Sequence, residues 1–494
     1  MQAVKRKIDF TNGKVFLKIV WFVLPIVASN LLQMLYNAAD MMVVSLSHEQ
    51  NAVGAIGTTG SFIHLIVNFF IGFAVGANVV VAREIGAGDK DRVQKAVHTS
   101  LVVAVLSGVA GGGVGLLISR PVLTAMGNTG NLLELAVTYT LIYFAGVPFL
   151  ALTNYLMAIF RAKGDAKTPL IVLASTGVLN VVMNLFFVLV CGMSVEGVAL
   201  ATAIANVASA AILLIILSRA QDDTAFAWKL LSVDRAALKD IVVNGLPAGI
   251  QSALFSLSNM LIQSSIVTVN NNVCPSGVDY APVVNGNAAA ANLDAFIYTA
   301  MNAVYQGAIT FTSQNVGAGK PHRVKRIMYS CFGIVTMIGV ALTALLLIFK
   351  QPLLSLYGIV PGAEGSLERL AYETAVIRFR WVSTPYFLCG VMEVCTGVLR
   401  GLGKSVTSTV ISLIGACLLR VVWLLTVFPV SQTLETMFVS YPMTWIVTNI
   451  AAFIVIQLSL WKILREKREL AQVVEVNEVQ AEAFEKTATE DTTI

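Results

Sequence analysis

The sequence predicts an all-α polytopic membrane protein, its twelve transmembrane helices arranged as two pseudo-symmetric six-helix lobes. Three observations lead there. Of 494 residues, 56% are hydrophobic and only 12% charged, about half the ~25% that covers a soluble domain. The apolar residues gather in blocks of about 20 or more, enough to span a bilayer as helix; a membrane β-barrel would show short alternating segments instead. The basic residues fall in alternate connections between those blocks.

The first block, 16–44, follows "VKRK" but carries Gln33, Asn37 and Asp40. It is too long for a signal-peptide core and is read as a retained span. Five more follow at 53–82, 96–119, 133–159, 168–190 and 197–218. After a polar connection come 241–269, 288–315, 328–348, 371–399, 406–428 and 437–461. With the N-terminus inside, 27 of the 33 basic residues lie on interior segments, Arg161 and Arg400 among them. This asymmetry predicts both termini in the cytoplasm and a multi-pass protein of the plasma (inner) membrane. The net charge of +5 therefore reports topology and implies no nucleic-acid partner. Nothing in the sequence calls for more than a monomer.

The six cysteines show no CxxC or other metal spacing. Cys331, Cys389, Cys395 and Cys417 lie in spans, where they pack as small apolar groups. Cys191 and Cys274 fall near the outer face, and whether they pair is open. The predicted organisation is an N-lobe at 1–218, a cytoplasmic linker at 219–240, a C-lobe at 241–462 and an acidic cytoplasmic tail at 463–494. The tail lacks periodicity from about 469 and is expected to be disordered.

The chain repeats itself. "LPIVASNLLQMLYNAAD" from Leu24 matches "LPAGIQSALFSLSNMLI" from Leu246, pairing Pro25 with Pro247 at an offset of 222. "REIGAGDKDRVQKAV" matches "QNVGAGKPHRVKRIM", pairing Gly86 with Gly317 at an offset of 231. "FRAKGDAKTP" matches "LRGLGKSVTS", pairing Arg161 with Arg400 at an offset of 239. The first step in offset locates an insertion in the polar stretch 270–287, read as an exterior loop. Both halves start and end on one side, so this is a parallel repeat, and transporters so built bind substrate between their halves near the midplane. In the linker, "FAWKLLSVDRAALKDIV" reads as amphipathic and suits the inner interface.

A charged residue at the bilayer centre costs about 2.5–3.5 kcal/mol on insertion scales, so the polar residues inside spans single themselves out. Gln33, Asn37 and Asp40 share one helical stripe with Tyr36, above the expected kink at Pro25. Asn180 and Asn184 lie one turn apart in the fifth span, and Thr202 in the sixth. A carboxylate with amide and hydroxyl oxygens suits a proton or a small hard cation. The alternative for the amides and Thr202 is hydrogen bonding between helices. In the second half Asp294, Tyr298, Asn302, Tyr305 and Gln306 share a face of the eighth span. Glu393 lies in the tenth span. Arg420 lies in the eleventh, where Glu393 or Asp294 is expected to neutralise it, either as structure or for transport. His64 reads as a packing residue; His48, His98 and His322 fall at loops or span ends. The "GAG" sequences are turns rather than phosphate cradles, since no strand precedes them and no GK[ST] follows. The expected substrate cavity is lined by Gln33, Met34, Tyr36, Asn37, Tyr139, Tyr143, Tyr298, Met301, Asn302, Tyr305 and Gln306.

Together, "QMLYNAAD" after a proline, "GAG" before a basic turn, "RAKGDAKTP", "EGVALATAIA" and "LRGLG" resemble the multidrug and toxic compound extrusion (MATE) transporters over about 16–462. The resemblance implies a MATE-type fold of two six-helix lobes in a V, alternating access, and export of amphipathic compounds against an inward H⁺ or Na⁺ gradient. Organic cations are the substrates that family breadth suggests, and no further cofactor is implied. It also implies that Asp40, Asn180, Asn184 and Thr202 bind the coupling ion. Position 184 is Asn where the fullest sites of this kind carry Asp. NorM-type members place acidic residues where this chain has Phe255 and Cys389, so it looks closer to the DinF-like branch. The nearest rival is a lipid-linked oligosaccharide flippase of the same superfamily. It would need several cationic residues in the cavity, and the sequence places only Arg420 deep. A membrane-embedded transferase would need a DDxxD-like cluster or a His–Asp pair, and the sequence has neither.

Overall fold

The computed structural model describes residues 10–47, 49, 51–274 and 280–490. His48, the lysines and arginine of "VKRK", and the middle of the expected exterior loop (275–279) lie outside the described residues. Twelve long helical elements are present among those described: α1 Val15–Val44, α2 Ala52–Ala87, α3 Lys90–Ala125, α4 Gly130–Ala162, α5 Lys167–Val190 and α6 Val195–Ser218 make the first six. The second six are α7 Arg235–Val273, α8 Pro282–Gly317, α9 Val324–Ile348, α10 Leu367–Gly401, α11 Ser405–Val430 and α12 Leu434–Glu490. Ten of these are long and apolar enough to cross a membrane singly, and α10 qualifies when its two parts are taken together. The remaining helix, α8, is 36 residues long but interrupted by Asn285, Asn287, Asn292, Asp294, Asn302 and Gln306, as befits a helix facing protein rather than lipid.

Three features depart from the sequence expectation. The exterior loop is shorter than 270–287, because α7 runs to Val273 and α8 starts at Pro282, with proline placed at N1 where its missing N–H is harmless. The linker is not an amphipathic helix. Up to Asp234 it is irregular apart from one 3₁₀ turn at Trp228–Leu230, with Phe226 buried against the His98 ring and Trp228 exposed, and its last residues from Arg235 are already the start of α7. His98, which the sequence left without a role, hydrogen-bonds Ala227 and so pins the linker to α3. Finally, α12 continues to Glu490, past the point where disorder is expected; the Ala, Glu and Lys of "AEAFEK" are good helix formers without any apolar stripe.

The repeat is visible in the packing. α2 lies along α7 and α1 along α8, so the same crossing occurs twice with lobes exchanged. The first half of α1 belongs to the C-lobe core, where Ile19, Phe22 and Val23 pack with Val304, Phe311 and Met328. Its last residues, Val43 and Val44, belong to the N-lobe. Pro25 and Pro247 both lie inside unbroken helices, whereas α10 bends by 42° around the Pro385 turn. Each "GAG" divides its labour. The second glycines, Gly88 and Gly319, take φ of 76° and 64° to end α2 and α8, the left-handed cap that glycine adopts without strain. The first glycines touch the opposite lobe: a Cβ at Gly86 would overlap the Gln314 carbonyl, and one at Gly317 the Arg83 carbonyl. Arg83 also pairs with Asp240. The two lobes are thus closed on each other at the end of the bundle where α2 and α8 finish.

Candidate functional site

The N-lobe cluster assembles as the sequence predicts. Asp40 is one turn from the end of α1 and 8% exposed. Asn184 Nδ2 donates to its Oδ1 at 2.5 Å, and Thr202 Oγ1 to its Oδ2 at 3.3 Å. Asn180 closes the ring, donating to Thr202 Oγ1 and accepting from Asn184, both at 3.3 Å. Asp40 has no ion-pair partner among the described residues, and Asn184 Oδ1 is buried with no hydrogen-bond partner among them. An anionic centre bordered by neutral amide and hydroxyl groups, with the Asn184 amide oxygen unsatisfied, is chemically suited to a proton or a hard monovalent cation. No group of three or more His, Cys, Asp and Glu positioned for a metal occurs among the described residues.

A cavity of about 790 Å³ lies between the lobes. Of the expected lining, Gln33, Met34, Asn37, Tyr298, Asn302, Tyr305 and Gln306 face it. The other four do not. The Tyr36 ring occupies the space above Gly177 and its hydroxyl donates to Ala174 O on α5. Tyr139 and Tyr143 stack at 6.1 Å in the N-lobe core, within reach of the Asp40 charge. Met301 is fully buried in the C-lobe core, against Gly339 and Gly390. His64, expected only to pack, reaches the cavity wall.

The C-lobe polar residues pair differently from expectation. Asp294 does not neutralise Arg420. It accepts from Arg378 Nε at 2.9 Å and from Ser383 Oγ, while Arg378 Nη1 donates to Asn287 at 2.9 Å. Arg378 precedes and Ser383 ends a π-helical turn at Phe379–Ser383, which shifts the helix register and brings them to one side. Arg420 follows a second such turn, Leu413–Leu418, donates to Thr444 Oγ1 at 3.2 Å and lies 4.1 Å from the Tyr441 ring centroid. Glu393 interacts with Tyr298 and Arg400.

Arg161 and Arg400, which the sequence assigns to interior connections, are the groups it misses. Both reach back from the ends of α4 and α10 into the cavity, Arg161 donating to Gln306 and Arg400 to Tyr305 and Gln251. The expectation of a single deep cation is therefore corrected: Arg161, Arg378, Arg400 and Arg420 all line the cavity. The repeat match of Arg161 with Arg400 was the available signal; a guanidinium on a long stem can sit several ångströms from its Cα.

The family model MatE matches residues 25–186 and 247–426, two stretches that open on the repeat-related prolines. The chain belongs to the MatE family. Its members are transporters, not enzymes, and this chain is a multi-pass membrane protein of that family. The probable multidrug resistance protein YoeA of Bacillus subtilis (strain 168) is 27% identical over 403 residues, covering 79% of this chain and 82% of that protein. An FAD transporter of Shewanella oneidensis is 22% identical over 385 residues, covering 76% and 80%. Among solved structures, the outward-facing conformation of a multidrug resistance MATE family transporter of the MOP superfamily superposes with a TM-score of 0.83 at 19% identity. It covers 94% of this chain and 100% of that one, which shows the MATE fold.

Proposed function

We propose that this MatE-family chain is a cation-coupled antiporter that exports amphipathic small molecules by alternating access, with Asp40 as the coupling carboxylate. The observation that carries this reading is a buried carboxylate ringed by Asn180, Asn184 and Thr202, without a cationic partner among the described residues. An unpaired buried carboxylate is costly unless neutralised. Bound to H⁺ or Na⁺ it is neutral and can be desolvated; once the ion leaves, the other arrangement of the lobes is favoured. A single carboxylate offers less negative charge than an Asp–Asp pair, which favours H⁺ over Na⁺. Phe255 and Cys389, both on the cavity wall, leave the acidic positions of NorM-type members empty and support a DinF-like placement. The basic connections support cytoplasmic termini in the plasma (inner) membrane, and a cavity enclosed by one chain supports a working monomer.

The test is flux in proteoliposomes with ΔpH and ΔNa⁺ imposed separately, using ethidium and 1-naphthyl phosphate as probes. Export driven by either gradient supports the antiporter; indifference to both contradicts it. The flippase reading gains from the four arginines, since a pyrophosphate headgroup needs such a lining. It predicts movement of a lipid-linked substrate without either gradient.

A further inference from the structure

The charge in the cavity runs against a cationic substrate. Four arginines line it, and Glu393 is the one carboxylate among the described lining residues. Only Arg378 has an ion-pair partner there, Asp294. The other three guanidiniums hydrogen-bond neutral groups: Arg161 has Gln306, Arg400 has Tyr305 and Gln251, and Arg420 has Thr444 beside the Tyr441 ring, with Arg400 also facing the Glu393 carboxylate. Arg400 and Arg420 are 4% and 3% exposed, and the Nε of each is buried with no hydrogen-bond partner among the described residues.

Resting on the reading of this cavity as the transport site, we infer that it recognises an oxyanion group, phosphate or carboxylate, carried on an aromatic or amphipathic body. A buried guanidinium without a counter-charge is unfavourable at membrane depth; Arg161 and Arg420 are so placed, and the unpartnered Nε of Arg400 and of Arg420 leaves donors free for a ligand. The guanidinium fork matches a phosphate or carboxylate with two parallel hydrogen bonds. A cationic ligand would find one carboxylate, Glu393, already facing Arg400, against Arg161 and Arg420, which have no carboxylate partner among the described residues. Tyr298, Tyr441 and Trp445 on the same wall offer faces for an aromatic body. The arrangement also joins the lobes. Arg161 ends α4 and Arg400 ends α10 at equivalent points of the repeat, yet both donate to neighbouring residues of α8. An oxyanion between them would be held from both lobes at once.

The experiment is equilibrium binding to the full-length protein in phosphatidylcholine nanodiscs, with labelled 1-naphthyl phosphate, 1-naphthoate and ethidium as probes. The expected result is that at least one anion binds more tightly than ethidium. Arg400→Gln and Arg420→Gln should each weaken anion binding about tenfold or more, with ethidium not weakened and Arg400→Lys in between. Arg161→Gln should weaken the anion too, with the thermal unfolding midpoint confirming that each variant is folded. The ratio of the two anions separates phosphate from carboxylate recognition. Displacement of 1-naphthyl phosphate by added phosphatidylglycerol would assign the oxyanion to a lipid headgroup, and its absence to a soluble compound; either supports the proposal. Tighter binding of ethidium than of both anions, no anion binding to wild type, or anion binding unchanged in all three Gln variants would overturn it. Binding needs no gradient, so a failure of coupling in the flux assay leaves this result standing, and the reverse holds.

Discussion

Asn184 Nδ2 lies 2.5 Å from Asp40 Oδ1, a contact that joins α5 to α1 across 144 positions of sequence. The amide donates to the carboxylate's charged form and so holds it ready for an ion. Removing it withdraws a donor that favours the ionised form, so the carboxylate should take a proton more readily while the ion-binding group remains. Asn184→Ala is expected to lower the proton concentration for half-maximal ΔpH-driven flux about tenfold, the order of one charge-assisted hydrogen bond, while maximal flux persists; Na⁺, which would also lose the Asn184 Oδ1 ligand, should instead need a higher concentration. An unchanged ion dependence would show that the amide only packs.

The C-lobe pair behaves as structure. Asp294 is 1% exposed and shared by Arg378 and Ser383. Breaking a buried pair leaves an uncompensated charge, at about 3–5 kcal/mol, whereas replacing both partners by apolar groups is often neutral. Thermal unfolding of the purified protein should therefore show a large loss for Asp294→Asn and recovery in Asp294→Leu combined with Arg378→Met. A double variant no better than the single one would point to a role beyond structure.

Gly86 and Gly317 press on the opposite lobe's backbone, each where a Cβ would overlap a carbonyl. Gly86→Leu or Gly317→Leu should hold that end of the bundle apart. With a cysteine at Gln306 in a background lacking Cys191, labelling by an impermeant maleimide from the terminus-bearing side should rise, and transport should fall. Unaltered labelling would mean that the lobes can close without this contact.

Orientation is open to the same chemistry. Cysteines placed at the exposed positions Asp89 and His322 should react with impermeant reagents only from the cytoplasmic side. Labelling of either from outside would reverse the assignment of the termini.

The sequence made much of this legible, for identifiable reasons. Pro25, Gly86 and Arg161 recur as Pro247, Gly317 and Arg400, so the two lobes could be read from spacing alone. Asp40, Asn180, Asn184 and Thr202 converge because a carboxylate inside an apolar run has few ways to be tolerated. The failures share one physical cause, that a helical stripe does not say which neighbour it faces. Tyr36 turned to α5 and Met301 to the C-lobe core, although both share a stripe with true cavity residues. The partner of Asp294 was out of reach because a π-helical turn changes the helical period next to Arg378. Arg161 and Arg400 were hidden by their places at helix ends, which a topology rule counts as connections.

The central claim, that Asp40 exchanges its neutralising ion during transport, is tested most directly by Asp40→Asn in proteoliposomes at matched protein content. The amide resembles the neutral carboxyl, so the variant should fold and keep its affinity for whichever probe the wild type exports. Flux driven by ΔpH or ΔNa⁺ should fall to the level of empty vesicles, because the site can no longer release and recapture a charge. Wild-type gradient-driven flux in Asp40→Asn would contradict the account and leave Asp40 a structural residue.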